Sequence, residues 1–175
     1  MNDSRISWKR YGLRVLALFA VLFVIGLVTR MPAWQFPQIY ALHGVLAAPF
    51  CAALASWHFA RGGSVFQLAA ATALLALVLG MMSAAMGLGF VAVAAFTLVV
   101  WALLSRCAEE VRRLATATAF GALYYPCALG AGLAMGAYRA SSDAVLPIML
   151  LLALSVALSL VGAFAASVFA DCRYS

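Results

Sequence analysis

The chain has 175 residues, of which 67% are hydrophobic and only 9% charged, against roughly 45–50% and about 25% in ordinary soluble domains. So little polar surface cannot cover a water-soluble globule, and at about 20 apolar residues per span the length allows about six helices in lipid. The net charge of +6 lies between apolar runs, which makes it topological rather than nucleic-acid-binding, and a chain whose only lysine is Lys9 holds no P-loop for ATP.

Taken in order, the apolar runs predict an all-α, polytopic membrane protein: one transmembrane domain over 1–175, a bundle of six helices at about 11–29, 39–60, 64–82, 87–104, 114–138 and 144–170. The basic start and the apolar run Val15 to Val28 imitate a signal peptide. No small-x-small site closes that run, so it is expected as a retained first helix. Arg30 to Gln38, with Pro32, Trp34 and Pro37, reads as a polar-aromatic break at a membrane interface. The second helix should kink at Pro49. Arg61-Gly62-Gly63 makes a tight turn, Ser83 to Gly89 a glycine-broken one, and Arg106 to Arg113 a charged internal loop. Pro126 interrupts the fifth helix and Pro147 lies near the start of the sixth.

Positive charge tests this segmentation, because short cytoplasmic loops accumulate it. With the N-terminus inside, Arg5, Lys9, Arg10, Arg14, Arg61, Arg106, Arg112, Arg113 and Arg173 are all cytoplasmic, and only Arg30 and Arg139 fall outside. A missed or extra helix would invert every loop downstream of it, so the expectation is six spans with both termini cytoplasmic.

Ionisable groups in the bilayer core cost about 2.5–3.5 kcal/mol on insertion scales, and carriers driven by protons or sodium usually place one or more in mid-helix. Here Asp3, Glu109, Glu110, Asp143 and Asp171 are the only carboxylates, and all fall in loops or at ends. That pattern argues against a proton-coupled pump. Aspartate-rich phosphoalcohol transfer and intramembrane serine proteolysis also lack their residues, so no catalytic residues are expected. Cys51, Cys107, Cys127 and Cys172 show no metal-ligand spacing and read as small apolar residues or thiols; no metal or cofactor is expected. His43 and His58 are fifteen residues apart on one helix, about 22 Å along its axis, too far to share a metal. His58, between Trp57 and Arg61, reads as interfacial. His43, a turn inside the outer surface, is placed either to contact a ligand or to make an interhelical hydrogen bond.

Aromatic and polar residues gather at the outer helix ends: Trp34, Phe36, Gln38 and Tyr40 after the first helix, Tyr138, Arg139 and Asp143 before the last. Each alone fits an aromatic belt. Together, if helices one, two, five and six bundle, they converge on an outward cavity suited to a small polar molecule, with Tyr124 beside Pro126 as its floor or as packing. Gly132-x-x-x-Gly136 and Ala48-x-x-x-Ala52 allow close helix approach.

A stand-alone six-helix bundle with no embedded charge, no ATPase and a polar-aromatic outer rim resembles the S components of energy-coupling factor (ECF) transporters. His43-Gly44 followed by Ala48-Pro49-Phe50, then Arg61-Gly62-Gly63, Met86-Gly87-Leu88-Gly89 and Gly121-Ala122-Leu123-Tyr124-Tyr125-Pro126, is similar to the MptE-like branch. The resemblance implies a non-enzymatic subunit of a prokaryotic plasma (inner) membrane that captures a vitamin-like small molecule and works with a T-component membrane protein and two cytoplasmic ATPases. Carried onto this chain, it implies Trp34, Gln38, His43, Tyr124, Tyr138, Arg139 and Asp143 as binding residues. The first helix departs from the pattern: Ala17 and Ala20 stand three apart where many members carry Ala-x-x-x-Ala for docking the T component. The competing expectations are an autonomous small carrier or channel, and a structural subunit of a larger membrane complex.

Overall fold

The structure, a computed structural model, describes the backbone of residues 2–33, 35, 39–139 and 142–171, and the side chains of all of these except 2–7, 142 and 171. Within the described residues there are seven α-helices and no strand: α1 (Asn2–Ala33), α2 (Leu42–Ala60), α3 (Val65–Met82), α4 (Ala84–Leu103), α5 (Glu109–Ala122), α6 (Tyr124–Ala134) and α7 (Val145–Asp171). Four apolar stretches are long enough to cross a bilayer: Trp8–Ala33, Leu42–Ala60, Ala84–Arg106 and Val145–Ala170. The protein is helical and membrane-embedded.

The bundle encloses hydroxyls beside its apolar core and turns large apolar side chains outward. Thr72, Thr97, Thr116, Ser155 and Ser159 are fully enclosed, while Leu146, Leu150, Val161 and Phe164 on α7 stand exposed. Apolar side chains gain little from leaving lipid, so helices associate through small residues, close packing and internal hydrogen bonds. Two of these threonine hydroxyls are satisfied within their own helices: Thr72 donates to the Leu68 carbonyl at 2.9 Å and Thr97 to Val93 at 2.7 Å.

α2 forms the centre of the bundle, packing most extensively against α7 and next against α5, while α3 pairs with α4. Its crossings are backbone to backbone. A methyl placed on Gly162 of α7 would overlap the Pro49 carbonyl oxygen and stand 2.8 Å from its carbon. On Gly121 of α5 it would run into the Ala48 carbonyl and lie 2.8 Å from the Ala52 methyl and the Ser159 hydroxyl. The Ala48-x-x-x-Ala52 step therefore serves internal packing.

The predicted second and third helices start within three residues of α2 and α3 and end where those helices end. Ser64 and Gln67 close a reciprocal capping box that fixes the start of α3. The glycine turn expected from Ser83 to Gly89 is confined to Ser83, which alone is extended. Gly87 and Gly89 lie inside α4, where a methyl on Gly87 would sit 2.7 Å from the Gly80 Cα of α3. These glycines let two helices close on each other. The charged loop expected over Arg106–Arg113 is also shorter, since α5 already begins at Glu109. Glu109 and Glu110 complement the positive end of the helix dipole, and Arg113 pairs with Glu109 one turn on.

The expected fifth helix is two: α5 and α6 meet at Leu123. Pro126 has no N–H, which leaves the Ala122 carbonyl without its helical donor. Ser155 of α7 supplies a replacement, its hydroxyl donating to that oxygen at 3.3 Å. Ser155→Ala should therefore cost about 0.6–2 kcal/mol in thermal unfolding of the purified protein, with Ser155→Thr retaining most of the stability; equal midpoints for all three would show the bond contributes nothing. α6 ends at Ala134, where Gly136, at φ +68, turns the chain and the Tyr138 N–H closes on the Gly132 carbonyl at 3.0 Å. Tyr138 thus lies in the turn rather than on the helix.

Candidate functional site

The two ends of the bundle carry different chemistry. At one, the Arg61 guanidinium lies over Trp57 and that of Arg112 over Trp101, 4.4 Å and 4.1 Å from the ring centres, while Trp101 stacks on Phe59. The His58 Nε2 faces the Ser64 carbonyl at 3.2 Å, which makes it part of the α2–α3 turn. Cation–aromatic stacks of this kind suit a membrane–water boundary.

The other end encloses a cavity of about 370 Å³, within the range of small-molecule sites. Its wall draws on the end of α1 (Arg30, Ala33), the link and first turn of α2 (Tyr40, His43, Gly44), the α3–α4 junction (Ser83, Met86, Phe90) and α6 (Tyr124, Ala128). Arg30 ends up here because it closes the last turn of α1, where a cation complements the helix C-terminus. Its Nη1 reaches the Met86 sulfur at 3.5 Å, tying α1 to α4 across the opening.

The rim holds the one described non-glycine residue in the left-handed region, Ala41 at φ 58. An L-residue there costs on the order of 1 kcal/mol. Ala41 is buried, and the tight reversal it makes sets Tyr40 against Gly132 of α6, where any β-carbon would collide with the ring. Tyr40 then stacks on Tyr138, ring centres 4.7 Å apart and planes 16° from parallel. Two loops far apart in sequence are joined by this contact.

Tyr124 sits deeper, 8% exposed, with Phe90 and Phe120 both edge-on to its ring at 5.4 Å. Its hydroxyl meets no oxygen or nitrogen partner, and its polar neighbour is the Cys51 thiol, a weak one.

Of the residues predicted to bind, His43 and Tyr124 line the cavity together. Tyr138 buttresses it through Tyr40 without lining it. Arg139 and Asp143 are exposed and fall outside the described lining. Trp34 and Gln38 lie outside the described residues. Absent from the predicted set were Arg30, Ser83, Met86 and Phe90. Arg30 is legible as one of only two basic residues on the outer side of the charge count, whereas in sequence Ser83 and Met86 fall in the glycine-broken turn and Phe90 in the apolar run after it. Compared with protein-family models, curated proteins and solved structures, the chain matches none of them.

Proposed function

We propose that this chain is a substrate-capturing membrane subunit of the ECF type: a six-span bundle, both termini cytoplasmic, that holds a small vitamin-like molecule at its outer face. It performs no chemistry on that molecule. A T-component membrane protein and two cytoplasmic ATPases on other chains power its import across a prokaryotic plasma membrane. The observation carrying this reading is the cavity: about 370 Å³ at a single end of the bundle, with a guanidinium, an imidazole and aromatic walls converging on it. The opposite end, rich in arginine and tryptophan, fits the cytoplasmic boundary.

Two further features support an externally powered subunit over an autonomous carrier. The described α-helices hold carboxylates only in their end turns, at Asp3, Glu109, Glu110 and Asp171, which leaves no titrating relay through the described core. Backbone-to-backbone crossings at Gly121 and Gly162 also favour a body that moves as one piece over one that opens a channel through its middle.

Co-expression with a T component and its ATPases tests the reading. The tagged chain should co-purify with them, and uptake should require ATP hydrolysis by the partners. Solute accumulation by the isolated chain in vesicles without ATP would overturn it in favour of an autonomous carrier.

A further inference from the structure

The cavity has a chemical polarity that the capture reading leaves unspecified. Its described lining includes a guanidinium, an imidazole, a serine hydroxyl and two phenols, and no carboxylate. The first turn of α2 also faces it: Ala41, Leu42, His43 and Gly44 all line the space, the N-cap Ala41 supplies no side-chain acceptor, and no acidic residue occupies that turn. A 19-residue helix directs the positive end of its dipole there, with the Leu42 and Gly44 N–H groups already donating to the Ile39 and Ala41 carbonyls. Arg30 approaches from α1 and lines the same space as His43. Its five-donor fork matches planar oxyanions, and the contact with Met86 anchors its Nη1 to one side of the opening. The far wall is different. Phe90 and Tyr124 present aromatic surface, while the Tyr124 hydroxyl itself is enclosed, with the Cys51 thiol as its polar neighbour.

Resting on the capture reading, we propose that the occupant is a flat organic anion, its acid group held between Arg30 and the N-terminus of α2 and its ring against Phe90 and Tyr124. Exposed Arg139, outside the described lining, takes no part in holding the acid. The anionic head is a carboxylate or a phosphate monoester, since both offer coplanar oxygens to a guanidinium fork.

The test uses the full chain in nanodiscs and three fluorescent probes sharing one ring system: 2-naphthoate, 2-naphthyl phosphate and the neutral 2-naphthamide. At least one anion should bind about tenfold or more tightly than the amide, the size expected of a charge-assisted hydrogen-bonded contact. Arg30→Gln should abolish that preference and leave amide affinity unchanged; Arg30→Lys should keep part of it, and Arg139→Gln all of it. A preference for naphthoate alone identifies a carboxylate ligand, and for the phosphate alone a phosphate monoester. Equal binding of acid and amide, a preference that survives Arg30→Gln, or no binding of any probe overturns the assignment. Loss of the anion preference leaves the importer reading intact, whereas failure to co-purify with the ATPases removes that reading and leaves an anion preference standing.

Discussion

Gly162→Ala should lower the stability of the bundle by about 3 kcal/mol, the upper end for overpacking a close contact, or roughly 6–12 °C in midpoint for a chain of this length. The reason is what the added methyl meets. At Gly162 it collides with the carbonyl of Pro49 and lies 2.9 Å from that residue's Cα, so α2 and α7 must move apart as whole helices. No rotamer change relieves the clash. Gly26→Ala is the matched control, since a methyl there has nothing within 4 Å, and alanine is the better helix former by up to about 1 kcal/mol. Thermal unfolding in detergent would separate the two variants; coincident midpoints would mean that α2 and α7 do not meet as described.

Tyr124→Ala should cost about 3–5 kcal/mol, as for other large aromatics removed from a core, because the ring fills the space between Phe90 and Phe120. Tyr124→Phe removes only the hydroxyl. Because that oxygen is enclosed without an oxygen or nitrogen partner, its loss should leave stability unchanged or slightly improved. The phenylalanine variant then isolates the hydroxyl: a fall in ligand affinity with an unchanged midpoint assigns it to the bound molecule, and unchanged affinity shows that the hydroxyl takes no part in binding.

The elements most legible in sequence were those whose ends carry their own chemistry. Ser64 and Gln67 announce the start of α3, and Arg61-Gly62-Gly63 closes α2, with Gly62 at φ +69. Glycines were harder, because one residue type does two jobs. Gly62 and Gly136 supply positive φ, while Gly87, Gly121 and Gly162 supply proximity; only the neighbouring helix tells them apart, and it is distant in sequence. The same limit governs the cavity. His43 and Tyr124 stood out as polar groups on apolar helices, but Met86 and Phe90 are indistinguishable from lipid-facing side chains until α4 is laid against α6. Arg30 was legible as a charge but read as a topological marker, because counting charges by loop says which side a residue is on and nothing about which neighbour it faces.

The crossing of α2 and α7 also divides the binding end into two unlike jaws. Gly44 rests on the backbone of Tyr124 and Tyr125, as Pro49 rests on Gly162, so the α2, α6 and α7 side is fixed by main chain and has no slack. The facing side is closed by long, unbranched side chains, with Arg30 of α1 touching Met86 of α4. Unbranched side chains with several torsions accommodate different shapes at little cost. Guests of unequal width would be accommodated on that side alone, with the α2 jaw serving as the gauge against which they are measured.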